Sequence, residues 1–118
     1  MGSNFDLICV GMALVDSIIK GFDPKPVSAS GYRAASCSLN AGGEAVNEAM
    51  AASKLGVKTG ILCSLGEDGA GDMVAGALEG CGVDTSLIVR SADHPTPVTT
   101  MFVGDDGTRQ SIDRKSVV

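Results

Sequence analysis

Residues 57–89 read VKTGILCSLGEDGAGDMVAGALEGCGVDTSLIV, and this stretch decides the fold class. Val57–Leu65 is a short β-prone run whose length suits a buried strand. Gly66–Asp72 reads as a turn. Met73, Val74, Ala77, Leu78 and Cys81 then recur at the spacing of one helical face, and Gly82 stands where a helix would stop. Leu87–Val89 is a further short strand. Strand, helix and strand in that order predict an α/β fold with a parallel sheet.

Outward from this unit the pattern continues. Upstream, Ala45, Val46, Ala49, Met50, Ala52, Ser53 and Leu55 mark a helix with a small-residue face, stopped by Gly56. Phe5–Val10 is a short apolar run ending at Gly11, as in a buried parallel strand. Leu14–Lys20 is a second strand, followed by a polar turn at Gly21–Pro26. Tyr32–Leu39 reads as a partly exposed strand. Downstream, Pro97–Val103 and Thr108–Asp113 are extended runs joined by Gly104-Asp105-Asp106-Gly107, which is a hairpin signal. A hairpin beside an α/β core predicts a flap or second small sheet. The chain reaches Lys115-Ser116-Val117-Val118 soon after that hairpin. A parallel sheet normally takes more βα units, so the sequence reads as interrupted rather than finished.

Composition narrows the function. The 118 residues suffice for one domain, and with no Trp, one Tyr and three Phe the core must come from Val, Ile, Leu, Ala and Met. A formal net charge of −5 with scattered basic residues argues against a nucleic-acid binder. None of the four cysteines lies in a C-x-x-C pair; Cys9 and Cys63 sit inside apolar runs and are expected as buried thiols. The single His, His94, is expected in an exposed turn, and no metal site is expected. No export signal is visible and no apolar run approaches the roughly twenty residues that span a bilayer, so a cytoplasmic location is expected.

The segment richest in chemistry is Ala41-Gly42-Gly43-Glu44-Ala45-Val46-Asn47. Paired glycines before a helix let backbone approach a ligand and leave the first helical amides free to donate. Asn47, one turn in, can donate to one hydroxyl and accept from the next, which suits a polyol. From spacing alone, a Gly-rich helix start with an exposed Asn is equally open.

Gly42-Gly43-x-x-x-Asn47, Leu55-Gly56-Val57, Gly66-x-Asp68-x-x-Gly71 and Gly82-Val83-Asp84, with Gly11 and Asp16 upstream, together resemble the first signature of the PfkB carbohydrate kinases. The resemblance runs from about Phe5 to Asp113. It implies the N-terminal part of a ribokinase-like three-layer α/β/α fold with a small β lid. Residues 1–118 would then be one part of a single kinase domain, with lid segments at about 14–39 and 97–113. The ATP-binding half, its base and Mg²⁺ would be absent, and this chain alone would hold neither cofactor.

The same resemblance assigns the substrate residues. Asp16 would accept hydrogen bonds from sugar hydroxyls, Gly42 and Gly43 would offer backbone amides and clearance, and Asn47 would bind another hydroxyl. Thr99 and Met101 would face the sugar from the lid, and Arg109 would reach an acidic sugar or a phosphate. Asp68 and Gly71 would shape a turn. Gly69-Ala70-Gly71-Asp72 looks like the end of the family's second signature, Asp-Thr-x-Gly-Ala-Gly-Asp. Gly66 and Glu67 stand where that motif has Asp and Thr, so Asp72 is not read as the catalytic base. No catalytic residue is expected in this chain.

The expected function is therefore ATP-dependent phosphorylation of a sugar hydroxyl by the parent enzyme, with a homodimer through the lid strands open to it. The rival reading is a non-catalytic sugar-binding or lid-pairing module. A Rossmann-type nucleotide domain ranks last, since the turn after the first strand is Gly11-Met12-Ala13 and no phosphate loop occurs. Ribose, fructose, 2-keto-3-deoxygluconate and nucleosides are all used by relatives of this type, and the sequence does not choose among them.

Overall fold

The computed structural model describes residues 5–21 and 30–113. Beyond Gly21, the polar turn expected at Gly21–Pro26 lies outside the described residues, as do Lys115–Val118. The elements in order are β1 (Leu7–Val10), β2 (Leu14–Lys20), β3 (Ser36–Gly42), α1 (Glu44–Lys54), β4 (Thr59–Leu62), β5 (Ser64–Gly66), α2 (Gly69–Gly80), β6 (Val89–Ser91), β7 (Val98–Val103) and β8 (Arg109–Ile112).

The parallel unit expected around residues 57–89 is present. β1 pairs in parallel with β4, and β5 pairs in parallel with β6. The single strand expected over Val57–Leu65 is two strands, parted at Cys63, whose carbonyl accepts from the Val89 amide at 2.9 Å. Helix α1 lies against β1 and β4, while α2 meets β5 and the beginning of the second sheet. Ile61, Leu65, Val46, Val74 and Leu78 are the largest fully buried side chains between these layers. Cys9 and Cys63 are buried among them as free thiols, and burial pushes both thiol pKa values up.

Both helices end as the glycine positions predicted. After α1 the Val57 amide donates to Ala52 O and the Gly56 amide to Ser53 O, and after α2 Val83 and Gly82 repeat this with Leu78 O and Glu79 O. These are Schellman endings, which satisfy the last carbonyls through a glycine beyond the helix. The other face of the parallel strands is bare. Ile8, Val10 and Leu62 alternate with the buried Cys9 and Ile61, and they stay 45%, 68% and 42% exposed. Among the described residues, helices thus cover one face of this sheet.

The second sheet has four strands in the order β3-β2-β7-β8. β2 runs antiparallel to β3 and parallel to β7, and β7 and β8 form the expected antiparallel hairpin. The strand expected over Tyr32–Leu39 is displaced to Ser36–Gly42. Its register with β2, from Lys20↔Ser36 to Leu14↔Gly42, carries it up to the paired glycines. Little of this sheet is buried: every residue of β8, and every residue of β3 before Ala41, is exposed. Val15, at 3% exposure, ties the sheet to the core.

Candidate functional site

The β3–α1 junction is a tightly constrained stretch of backbone at one end of the four-stranded sheet. Gly43 caps α1 at φ 102°, and no side chain supplies the cap. A Cβ at Gly43 would strike the Met12 carbonyl oxygen, so any other residue would face both strain and collision. A Cβ at Gly42 would strike Asp16 Oδ2 and stand 3.2 Å from Leu14 Cδ1. The Asp16 carboxylate therefore rests on the bare Gly42 backbone, beside the uncapped start of α1. The helix dipole there favours a polar, electron-rich neighbour.

Strand pairing sets what else shares this face. Asp16 is level with Asn40 on one side and Thr99 on the other. Ile18, two residues on, is level with Met101, and Val103 with Arg109. Side chains two apart on a strand share a face, and partners across strands do too. Asp16, Gly42, Thr99, Met101 and Arg109 therefore lie on one face of the lid sheet, although they were picked from distant parts of the chain. They are not equidistant. Arg109 is level with Val103, four residues beyond Thr99, or about 13 Å along the strand at ~3.3 Å per residue. Asn47 lies one turn into α1, its amide donating to Gly43 O at 3.0 Å and its side chain exposed.

Asn40 was missed by sequence reasoning. It stands directly across from Asp16 on the same face, and its Nδ2 donates to Ser38 Oγ at 3.4 Å. Its position next to Ala41-Gly42-Gly43 was the available signal, and it was lost because the strand was placed too early.

A second polar cluster explains Gly66-x-Asp68-x-x-Gly71. Asp68 caps α2, with its Oδ1 accepting from the Gly71 amide at 2.7 Å. The same oxygen accepts from Thr96 Oγ1 at 2.7 Å, and Oδ2 accepts from the Thr96 amide at 2.9 Å. Thr96 Oγ1 in turn accepts from the Gly66 amide at 2.8 Å. A Cβ at Gly66 would lie 2.6 Å from Thr96 N, and one at Gly71 would lie 2.9 Å from Thr96 Oγ1. The motif is more than a local turn: it grips a residue 28 positions ahead. The Thr96 backbone and hydroxyl bonds, then the Gly71 amide and the nearby Arg90 charge, hold the Asp68 pKa below the ordinary carboxylate range. Gly66–Asp72, expected as a turn, thus holds the cap and the first turn of α2; Thr96 carried no signal in the sequence.

Asp72 is occupied elsewhere. Arg90 Nη2 donates to its Oδ1 at 2.7 Å, and Arg90 Nε donates to Gly66 O at 3.0 Å. A cavity of about 650 Å³ opens at the ends of β1, β4 and β6, lined by Val10, Met12, Leu62 and Val89 together with the polar Ser64, Ser91 and His94. None of the residues picked for sugar lines it. Among the described residues no group of three His, Cys, Asp or Glu could hold a metal ion. No helix among the described residues is long and apolar enough to cross a membrane.

Comparison with known proteins agrees on one family. Residues 5–115 match the family described as pfkB family carbohydrate kinase. A nucleoside kinase of Methanothermobacter thermautotrophicus is 32% identical over 113 residues, which are 95% of this chain and 35% of the relative. A 5-dehydro-2-deoxygluconokinase of Halalkalibacterium halodurans is 32% identical over 94 residues, covering 79% of this chain and 27% of that protein. The solved ribokinase of Arabidopsis thaliana complexed with ribose and ATP superposes with a TM-score of 0.84 at 28% identity, over 97% of this chain and 37% of that one. The chain thus spans about a third of the length of the relatives it matches.

Proposed function

The chain belongs to the pfkB family of carbohydrate kinases, and from that premise we propose that it supplies the sugar-binding part and most of the lid of an enzyme that transfers the γ-phosphoryl of ATP to a sugar hydroxyl. Asp16 accepts hydrogen bonds from two neighbouring hydroxyls. Gly42 and Gly43 give the ring clearance, and α1 directs amides toward it. Asn47 binds a further hydroxyl through its amide side chain. Thr99 offers a hydroxyl from the lid and Met101 an apolar wall. Arg109, at the far end of the face, meets an anionic substituent when the substrate carries one.

The observation that supports this reading best is the seating of the Asp16 carboxylate on Gly42 with Thr99 level beside it. A carboxylate, a hydroxyl and a helix start on one face match what a polyol needs. ATP and Mg²⁺ supply the phosphoryl group and neutralise its charge. By the resemblance to the family's second signature, we place the nucleotide site and the base in polypeptide outside these 118 residues. We also place the protein in the cytoplasm, with a second copy paired through the exposed lid strands β3 and β8.

The test is enzymatic. The isolated 118-residue chain is expected to show no sugar-dependent ATP turnover, whereas an enzyme that carries it together with the Asp-Thr-x-Gly-Ala-Gly-Asp segment phosphorylates a sugar or nucleoside. Turnover by the pure chain would overturn the division of labour. An intact enzyme that binds sugars and never phosphorylates them would favour the non-catalytic binding module instead.

A further inference from the structure

Resting on that reading, we infer that Asp68 is a positioning residue for the sugar face: it holds Thr96 at the root of β7 and so sets where Thr99 stands relative to Asp16. Besides the buried Val15 and the packing of α2 on β2 and β3, the lid sheet is rooted in the core at two polar places. One is the contact of Gly43 with the Met12 carbonyl, where β2 enters and β3 leaves. The other is Thr96, the residue from which the chain passes through Pro97 into β7.

The second root is built more heavily than a turn requires. Thr96 is only 5% exposed, and its amide and hydroxyl both end on the Asp68 carboxylate. Its hydroxyl also receives the Gly66 amide, so three polar groups of the root depend on one carboxylate and one hydroxyl. The link from Thr96 to the face is short and stiff. Pro97 fixes its own φ and restricts Thr96 to extended backbone. The Pro97 carbonyl accepts from the Val15 amide at 3.0 Å, next to Asp16. Thr99 follows two residues later, level with Asp16. Asp68 itself is carried by the first turn of α2, which Val74 and Leu78 anchor in the core. A rigid path therefore runs from the buried helix to a hydroxyl on the sugar face.

Capping and anchoring can be separated chemically. Asp68→Asn retains an oxygen to cap Gly71, since Asn caps helices as well as Asp does. Its amide nitrogen then meets the Thr96 amide, donor against donor, so the backbone half of the anchor is lost while the Thr96 hydroxyl keeps its bond to the retained oxygen. Thr96→Val removes the hydroxyl that Gly66 needs, and Thr96→Ser restores it. Amide hydrogen exchange on the 118-residue chain reads the anchor without any sugar. D68N and T96V are expected to speed exchange in β7 roughly tenfold or more while α1 and β4 hold their rates, with T96S close to the parent. In the enzyme that carries this chain, D68N is expected to raise the sugar KM by about tenfold and leave the ATP KM in place. Unchanged exchange in β7, or equal acceleration in β7, α1 and β4, overturns the inference, as does an unchanged sugar KM. If β7 loosens as expected but the parent chain meets no sugar, the anchor stands and the sugar reading falls.

Discussion

The parallel-strand core and the lid sheet are built from the same kind of short strands, yet they are held together by different forces. In the core, Val46 of α1 and Val74 and Leu78 of α2 are fully buried together with Ile61 of β4, and apolar burial does most of the stabilising. In the lid sheet, β8 is exposed throughout and β3 nearly so, leaving strand pairing, the buried Val15 under α2 and two polar roots to keep it in place. A sheet with so little core has little to lose when its side chains change, which frees its faces for ligand contacts. It also makes the roots matter more than any one residue in the strands.

The comparison breaks most visibly in the core. Leu78→Ala should cost about 2–5 kcal/mol in denaturant unfolding, by lost burial and the cavity left behind. A loss below about 1 kcal/mol would mean that the helices are not packed as described. Next comes the first root of the lid. Gly43→Ala places a Cβ against the Met12 carbonyl at a φ of 102°, and should cost about 1–3 kcal/mol together with sugar binding.

The second root should show itself in acid. The Asp68 pKa is held down in the fold, chiefly by the Thr96 bonds, so the stability it contributes is present above the unfolded carboxylate value of about 3.9. That contribution is lost as pH falls through the lowered folded value. Denaturant midpoints measured from pH 6 to pH 2 should fall less steeply for Asp68→Asn than for the parent below about pH 4. Equal slopes would separate Asp68 from the acid response. The smallest effect belongs to the lid surface. Ile112, 66% exposed on β8, should tolerate Ala within about 0.5 kcal/mol.

How far the sequence could be read follows the same division. α1, the body of α2, their glycine stops and the limits of β2 at Leu14–Lys20 were legible because each rests on local periodicity and on nearby residues, whereas Gly69–Asp72, expected in a turn, is the first turn of α2. β3 was placed too early because its position depends on register with β2 and not on its own mixed composition. The break at Cys63 follows from the switch of pairing partner from β1 to β6, which no local pattern announces. Asp16, Gly42, Thr99 and Met101 came from the resemblance to PfkB kinases, and their placement on one sheet face is a matter of topology. Thr96 was invisible, since its partner lies 28 residues away and neither residue is unusual by itself.

The most direct test of the central claim is an NMR titration of the 118-residue chain with ribose, fructose, adenosine and a 2-keto-3-deoxy sugar acid. With only part of the pocket present, binding in the millimolar range is expected for at least one of them. The account predicts that amide shifts gather at Asp16, Gly42, Gly43, Asn47 and Thr99, and that Asp16→Ala abolishes them. Shifts confined to the apolar cavity around Val10, Leu62 and Val89, or none with any of the four, would contradict it.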